Sequence, residues 1–255
     1  MRALRLLLPI AIMLYLPFSS GAWGVVGHKL TAKIAYTQLS PAIKDSLKVY
    51  LGETTIEEAS VWMDEIRSDP SNDSLKPFHY INMEKGESYN PDSTHNIIGE
   101  LDRIIRELKD RGKYDKEHIT VDLKILIHLI GDLHQPMHNG YGSDRGGNSV
   151  SVFVAGGGSN LHRVWDTDLL ESYIMTEPMD WASTAKYSKE QLAEIRKVNI
   201  LGWMNESRKY LIECYDFKGQ DIDRKYVKRA IPIVEERLLF GGIRLGKLLR
   251  DIFHS

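Results

Sequence analysis

The stretch LKILIHLIGDLHQPMH, Leu123–His138, narrows the possible folds more than any other part of the sequence. It is apolar enough to form a core helix, yet it carries His128, Asp132 and His138. Helix positions four apart share a face, so His128 and Asp132 point the same way, one turn apart. An imidazole and a carboxylate buried together need a partner, and a metal ion is one such partner. Pro136 removes a backbone donor and disfavours helix just before it, so the helix ends there and His138 can ligate from a loop. The other metal-ligating side chains of the chain can converge on this segment.

Around it the sequence predicts helices and little strand. The central helix runs roughly over Val121–Gln135. Before it, helices are expected at Lys29–Leu39, from Pro41 to Leu51 with Ser40 as N-cap, and at Thr55–Arg67. Pro77–Asn82 reads as an extended piece. Ile97, Leu101, Ile104 and Leu108 recur at helical spacing within His95–Arg111. After it come a glycine-rich loop, Gly140–Gly147, and a short strand with alternating Val150, Val152 and Val154. Gly156–Gly158 supplies that strand's turn. Two long helices, Lys189–Asp216 and Asp223–Phe253, close the chain, with Pro232 expected to kink the second. Roughly seven or eight helices result. The fold class is all-α: a single mostly helical domain with a short β-hairpin. With 255 residues, 42% hydrophobic and 27% charged, there is enough apolar material for one full core.

Residues 1–22 read as a cleaved signal peptide, leaving 23–255 as the folded domain. Arg2 and Arg5 precede an apolar run, Leu6 to Phe18, which is short for a membrane anchor, and Ser20-Gly21-Ala22 is a small-residue cleavage site. Cleavage takes the formal charge from -2 to -4 by removing both arginines. That balance argues against a basic surface for phosphates. The single cysteine, Cys214, forbids an intrachain disulfide, and an exported chain without one fits a secreted or periplasmic protein.

The chemistry-bearing residues form a set: His28, His79, His128, His138 and His162, with Asp64, Asp132 and Asp166. Imidazole and carboxylate without thiolate is the donor chemistry of hydrolytic zinc. Eight such ligands exceed what one ion takes, so a cluster with a bridging aspartate is expected. The glycine-rich turn before His162 lacks the ending of a P-loop, and no G-x-S-x-G elbow is present. His95, His118, His134 and His254 read as bystanders.

These residues carry a resemblance. The ordered blocks are Trp23-Gly-x-x-Gly-x-His28; Ser60-Val-Trp-Met-Asp64 with Arg67; Phe78-His79-Tyr80-Ile81; His128-x-x-Gly-Asp132-x-x-Gln-Pro-x-His138; Gly146-Gly147-Asn148; and Asn160-Leu161-His162-x-x-Trp165-Asp166. Together they resemble the zinc-dependent type I nucleases, the S1/P1 or mung bean family of single-strand-specific enzymes. The resemblance implies the phospholipase C/nuclease type I fold with three zinc ions in a cleft. It puts one zinc on Asp64, His79, His128 and Asp132. A second falls on His28, Asp132 and the amine and carbonyl of Trp23, and a third on His138, His162 and Asp166. Asp132 is then the bridge. Arg67 would neutralise charge on the reacting phosphate, and Tyr80 would stack an unpaired base. Asn82 stands where some relatives read the base edge with an aspartate. Implied substrates are single-stranded DNA and RNA, cut to 5′-phosphorylated products, and 3′-nucleotides. The protein would act as a monomer with no membrane anchor. The alternative is a bacterial zinc-dependent phospholipase C, which shares the N-terminal tryptophan and three-zinc logic.

Overall fold

The computed structural model describes residues 23–174 and 179–254, so the signal-peptide reading of 1–22 lies outside the described residues. The chain is mostly helical. Its helices in order are α1 Gly24–Thr37, α2 Pro41–Leu51, α3 Ile56–Ala59, α4 Trp62–Glu65, α5 Ile97–Lys109 and α6 Lys116–His134. Strands β1 Ser151–Val154 and β2 Gly157–Asn160 form a hairpin, followed by α7 Leu161–Arg163 and two π-helical turns, Val164–Asp168 and Leu170–Ile174. Then come α8 Lys189–Ile195, α9 Ile200–Lys209, α10 Leu211–Cys214, β3 Asp221–Ile222 and α11 Arg224–Phe253.

The central helix is longer than its apolar pattern suggests. Asp115 caps α6, its side chain accepting the His118 N–H at 2.8 Å. This polar first turn carries no apolar periodicity, so the sequence places the start too late. From Ile125 to His134 every residue of α6 is buried. Gln135 closes it in an extended conformation, as a residue before proline prefers. α5 packs its buried Ile97, Ile98, Leu101, Ile104, Ile105 and Leu108 toward α6. Each such side chain contributes about 1.5–3 kcal/mol, so burial outweighs helix propensity here.

Three expected helices differ in extent. α1 begins at Gly24, ahead of the expected Lys29, because the Trp23 carbonyl already accepts the Gly27 N–H at 3.0 Å. Thr55–Arg67 is not one helix. Thr55 and Glu58 form a capping box, but the Asp64 N–H turns to Val61 O at 3.1 Å instead of continuing the ladder to Ser60 O. Lys189–Asp216 is interrupted at Arg196–Asn199, where Asn199 caps α9, and again at Tyr210. α11 by contrast runs unbroken past Pro232 over 30 residues. Pro70–His79 is a run of 3₁₀ turns, and the extended piece starts only at Tyr80. The hairpin gains a third strand, β3, parallel to β1 with Phe153 opposite Asp221.

α1 lies against α11 through glycines. A Cβ on Gly242 would sit 2.5 Å from both Cβ and Cγ2 of Ile34 and 3.0 Å from the Thr31 carbonyl. The substitution G242A is therefore expected to destabilise the fold by about 1–3 kcal/mol despite alanine's better helix propensity. Thermal unfolding checks this, at roughly 2–4 °C lost per kcal/mol for a domain of this size. An unchanged melting temperature would contradict so close a helix contact.

Candidate metal centre

Six separate stretches of the chain deliver eight ligating side chains to one place. His28 comes from α1, Asp64 from α4, and His79 from the last 3₁₀ turn before Tyr80. His128 and Asp132 come from α6, and His138 from the 3₁₀ turn Pro136–Asn139. His162 and Asp166 come from α7 and the π turn after it. All five histidines and Asp132 and Asp166 are buried, while Asp64 is half-buried.

Asp132 is the hub. Its Oδ1 lies 3.2 Å from His28 Nε2, and its Oδ2 lies 3.0 Å from His79 Nδ1 and 3.2 Å from His128 Nε2. Two imidazole nitrogens, His128 Nε2 and His79 Nδ1, face each other at 3.0 Å beside that oxygen. The rings of His28 and His128 stack at 3.9 Å. Gly131 makes this approach possible, since a Cβ there would lie 2.7 Å from His28 Nδ1. Trp23 sits on the same spot with its indole fully buried, at φ 22°. Across the site, His162 Nε2 is 3.0 Å from Asp166 Oδ2, and His138 Nε2 is 3.6 Å from Asp166 Oδ1.

The outer contacts aim the rings. His128 Nδ1 donates to Ser60 O at 2.7 Å, His138 Nδ1 to His79 O at 2.6 Å, and His162 Nδ1 to Gly146 O at 2.7 Å. A carbonyl can only accept, so each of these rings carries a proton on Nδ1 and turns its Nε2 toward the centre. The interruption between α3 and α4 is what leaves the Ser60 carbonyl available. Gln135 orients Asp166, donating from Nε2 to its Oδ1 while its own Oε1 accepts the Met137 N–H. Arg208 on α9 donates to the carbonyls of Asn139, Gly140, Met83 and Glu84. It thereby fastens the His138 loop to the extended segment that follows His79.

The carboxylates and imidazoles of the site act strongly on one another's protonation. Burial pushes the Asp132 carboxyl up, but His128 and His138 override it and hold it well below the usual carboxylate range. Burial alone would lower His138, yet Asp132 and Asp166 raise it to about 9. Among the described residues, His28 Nδ1 and Nε2, Asp64 Oδ1, Asp132 Oδ1, His138 Nε2 and Asp166 Oδ2 are buried with no hydrogen-bond partner. Three groups could each hold a metal ion: His28, Asp64 and His128; His79, His128 and Asp132; His138, His162 and Asp166. His128 belongs to two of these groups. Nitrogen and oxygen donors with orphaned lone pairs fit divalent metal well.

Beside the centre is a cavity of about 310 Å³, lined by Arg67, Tyr80 and Asn82 together with His79, His138 and His162. Lys76, Arg145 and Asn148 also line it. The first two carry no sequence signal, and Asn148 is visible only as part of the Gly146-Gly147-Asn148 block. Tyr80 is 39% exposed. The remaining histidines stand apart. His118 joins Glu107 and Asp122 in a fourth group, but Arg103 already pairs with both carboxylates at 2.8 and 2.9 Å. His134 is fully buried, donating from Nδ1 to Ile130 O at 2.8 Å and accepting from Arg244 at 2.9 Å.

The S1/P1 Nuclease family matches residues 23–254 of the chain. Similar proteins include Endonuclease 2 of Arabidopsis thaliana, 27% identical over 94% of this chain and 94% of that one. Endonuclease 4 of the same plant is 29% identical over 91% and 90%. Nuclease S1 of Aspergillus oryzae is 25% identical over 95% and 96%.

His134 gives a pH prediction. Burial, then Arg244 and Arg237, hold it neutral well below its ordinary 6.5. Below pH 6.5 the unfolded chain takes a proton that the folded chain refuses, so stability present above that pH is lost as pH falls. In H134Q this titration is absent. The stability gap between wild type and variant should shrink by up to about 1.4 kcal/mol per pH unit below pH 6.5. Parallel denaturation profiles from pH 7.5 to 5 would refute it.

Proposed function

The chain belongs to the S1/P1 nuclease family, and on that footing we propose that it is a zinc-dependent endonuclease of single-stranded DNA and RNA. In this reading it holds three zinc ions, leaves 5′-phosphorylated products and also hydrolyses 3′-nucleotides. The observation that carries it is Asp132 set among His28, His79 and His128, with the His138, His162 and Asp166 group close by and a cavity alongside that also offers Arg67 and Tyr80. The ligands would be Asp64, His79, His128 and Asp132; His28, Asp132 and Trp23; and His138, His162 and Asp166. Zinc bound there supplies Lewis acidity, neutralising phosphate charge and making water acidic enough to react near neutral pH.

The protein's own groups do the rest. Asp132 remains ionised between its imidazoles and keeps the ligand sets in one rigid unit. Arg67, three residues from Asp64, donates to non-bridging phosphate oxygens as charge builds in the transition state. Tyr80 presents a half-open ring on which one unpaired base stacks, and a duplex hides that face of the base. Asn82 offers both a donor and an acceptor to the base edge. Metals and a few placed cations replace a basic surface, which reconciles phosphodiester binding with a formal charge that falls from -2 to -4 when residues 1–22, with Arg2 and Arg5, are removed.

No helix among the described residues is long and apolar enough to cross a membrane. With residues 1–22 removed as a signal peptide, the protein would be a secreted or periplasmic monomer. Cleavage before Trp23 frees its α-amine, which must lose its proton to ligate. A verified extra residue ahead of Trp23 should lower the zinc content seen by native mass spectrometry and abolish most activity. Full activity of that protein would refute the amine's role.

The direct test incubates protein beginning at Trp23, with zinc, with a single-stranded oligonucleotide and the matching duplex. Expected are 5′-mononucleotides, released faster from the single strand. R67A should lower kcat by about 10²–10³, and Y80A should weaken binding of the single strand by about 1–3 kcal/mol. No cleavage with three zincs bound would redirect attention to lipid substrates.

A further inference from the structure

One cation at the cavity has no task in this chemistry. Arg145 is exposed and lines the cavity with Arg67 and Lys76. Lys76 is paired with Asp73 at 2.6 Å. The Arg145 guanidinium has no hydrogen-bond or ion-pair partner among the described residues. The nearby carboxylates are already engaged. Asp144 accepts from Tyr215 Oη at 2.6 Å and from the Gly147 N–H at 2.8 Å. Glu84 accepts from the Ser143 N–H and hydroxyl at 2.6 and 3.0 Å.

Its backbone, unlike its side chain, is tightly held. Arg145 has φ 59°, a left-handed conformation that glycine adopts freely and arginine does not. Its N–H donates to Gly142 O at 3.1 Å, and its carbonyl accepts from Asn148 Nδ2 at 3.0 Å. The next carbonyl, Gly146 O, is the one that orients His162. An arginine therefore occupies a strained position just ahead of Gly146 and Gly147, fixed in register with the His162 end of the centre. Arg67 is tied in sequence to the other end, at Asp64. A left-handed non-glycine residue of this kind, at the rim of a candidate site, points to function when a charged side chain stands free beside it.

We propose that Arg145 binds a non-scissile phosphate of the nucleic-acid strand, the neighbour of the reacting phosphate on the His162 side. This rests on the nuclease reading of the centre. A guanidinium presents a planar fork of donors that matches phosphate oxygens. A strand with several phosphates engages Arg145 and the centre together, whereas a dinucleoside monophosphate, with its single phosphate, engages only the centre. Arg145 thus sets a preference for longer strands.

The test compares wild type, R145G and R145K, all zinc-loaded. R145G keeps the left-handed backbone accessible and removes the guanidinium, so its melting temperature should equal or exceed that of wild type. Binding is read by fluorescence anisotropy with a labelled phosphorothioate single strand across a salt series. R145G should bind roughly tenfold more weakly, with a log–log salt slope shallower by about 0.7. R145K should restore the slope. On a dinucleoside monophosphate, kcat and KM of R145G should move less than twofold. Unchanged affinity and slope in R145G would overturn the proposal, as would equal losses on both substrates. A wild-type protein that cleaves neither substrate would overturn the nuclease reading and this one with it; cleavage of both isolates Arg145.

Discussion

The structure depends on one ionised carboxylate with no access to water. Asp132 is fully buried in the last turn of α6, and a lone charge there would cost several kcal/mol. Three imidazole nitrogens stand within 3.2 Å of it, drawn from α1, α6 and the 3₁₀ segment before Tyr80. Satisfying this group dictates that α1 cross α6 at a glycine, that the chain break between α3 and α4, and that Pro136 stop α6 in time to release His138.

A second consequence is the division of labour between rigid and adaptable parts. The ligand rings are fixed by main-chain carbonyls, and Arg208 fastens two of the loops that carry them. The cavity wall, with Tyr80, Asn82 and Arg145, consists of side chains on firmly held backbone that are themselves open to solvent. Geometry is thus preset at the centre and left to the substrate at the rim.

The sequence is most legible where local spacing encodes the chemistry. His128 and Asp132 declare themselves by four-residue separation, as do His162 and Asp166, and Pro136 announces the end of α6. The Ser40-Pro41 start of α2 is equally local. What escapes is set by distant contacts. The interruption of Thr55–Arg67 serves a hydrogen bond from His128, 68 residues away, and nothing near Ser60 reveals it. β3 is two residues long and exists only through pairing with β1. Arg145 and Lys76 look like solvated loop residues because exposure is the ordinary state of a cation there. The left-handed turn at Arg145 is invisible in the sequence because nothing marks an arginine for that conformation.

The spread of the ligands along the chain bears on how the molecule folds. The centre joins residues from His28 to Asp166 across six stretches, so its contacts are of long sequence separation and require many loop closures first. A partly folded chain, even one with α5 and α6 correctly paired, cannot assemble it. The centre is therefore expected to form on the late, native side of the folding barrier. Interactions formed there slow unfolding more than they speed folding. Metal bound at such a centre would make the folded molecule long-lived, and resistance to proteolysis would then measure whether the centre is complete.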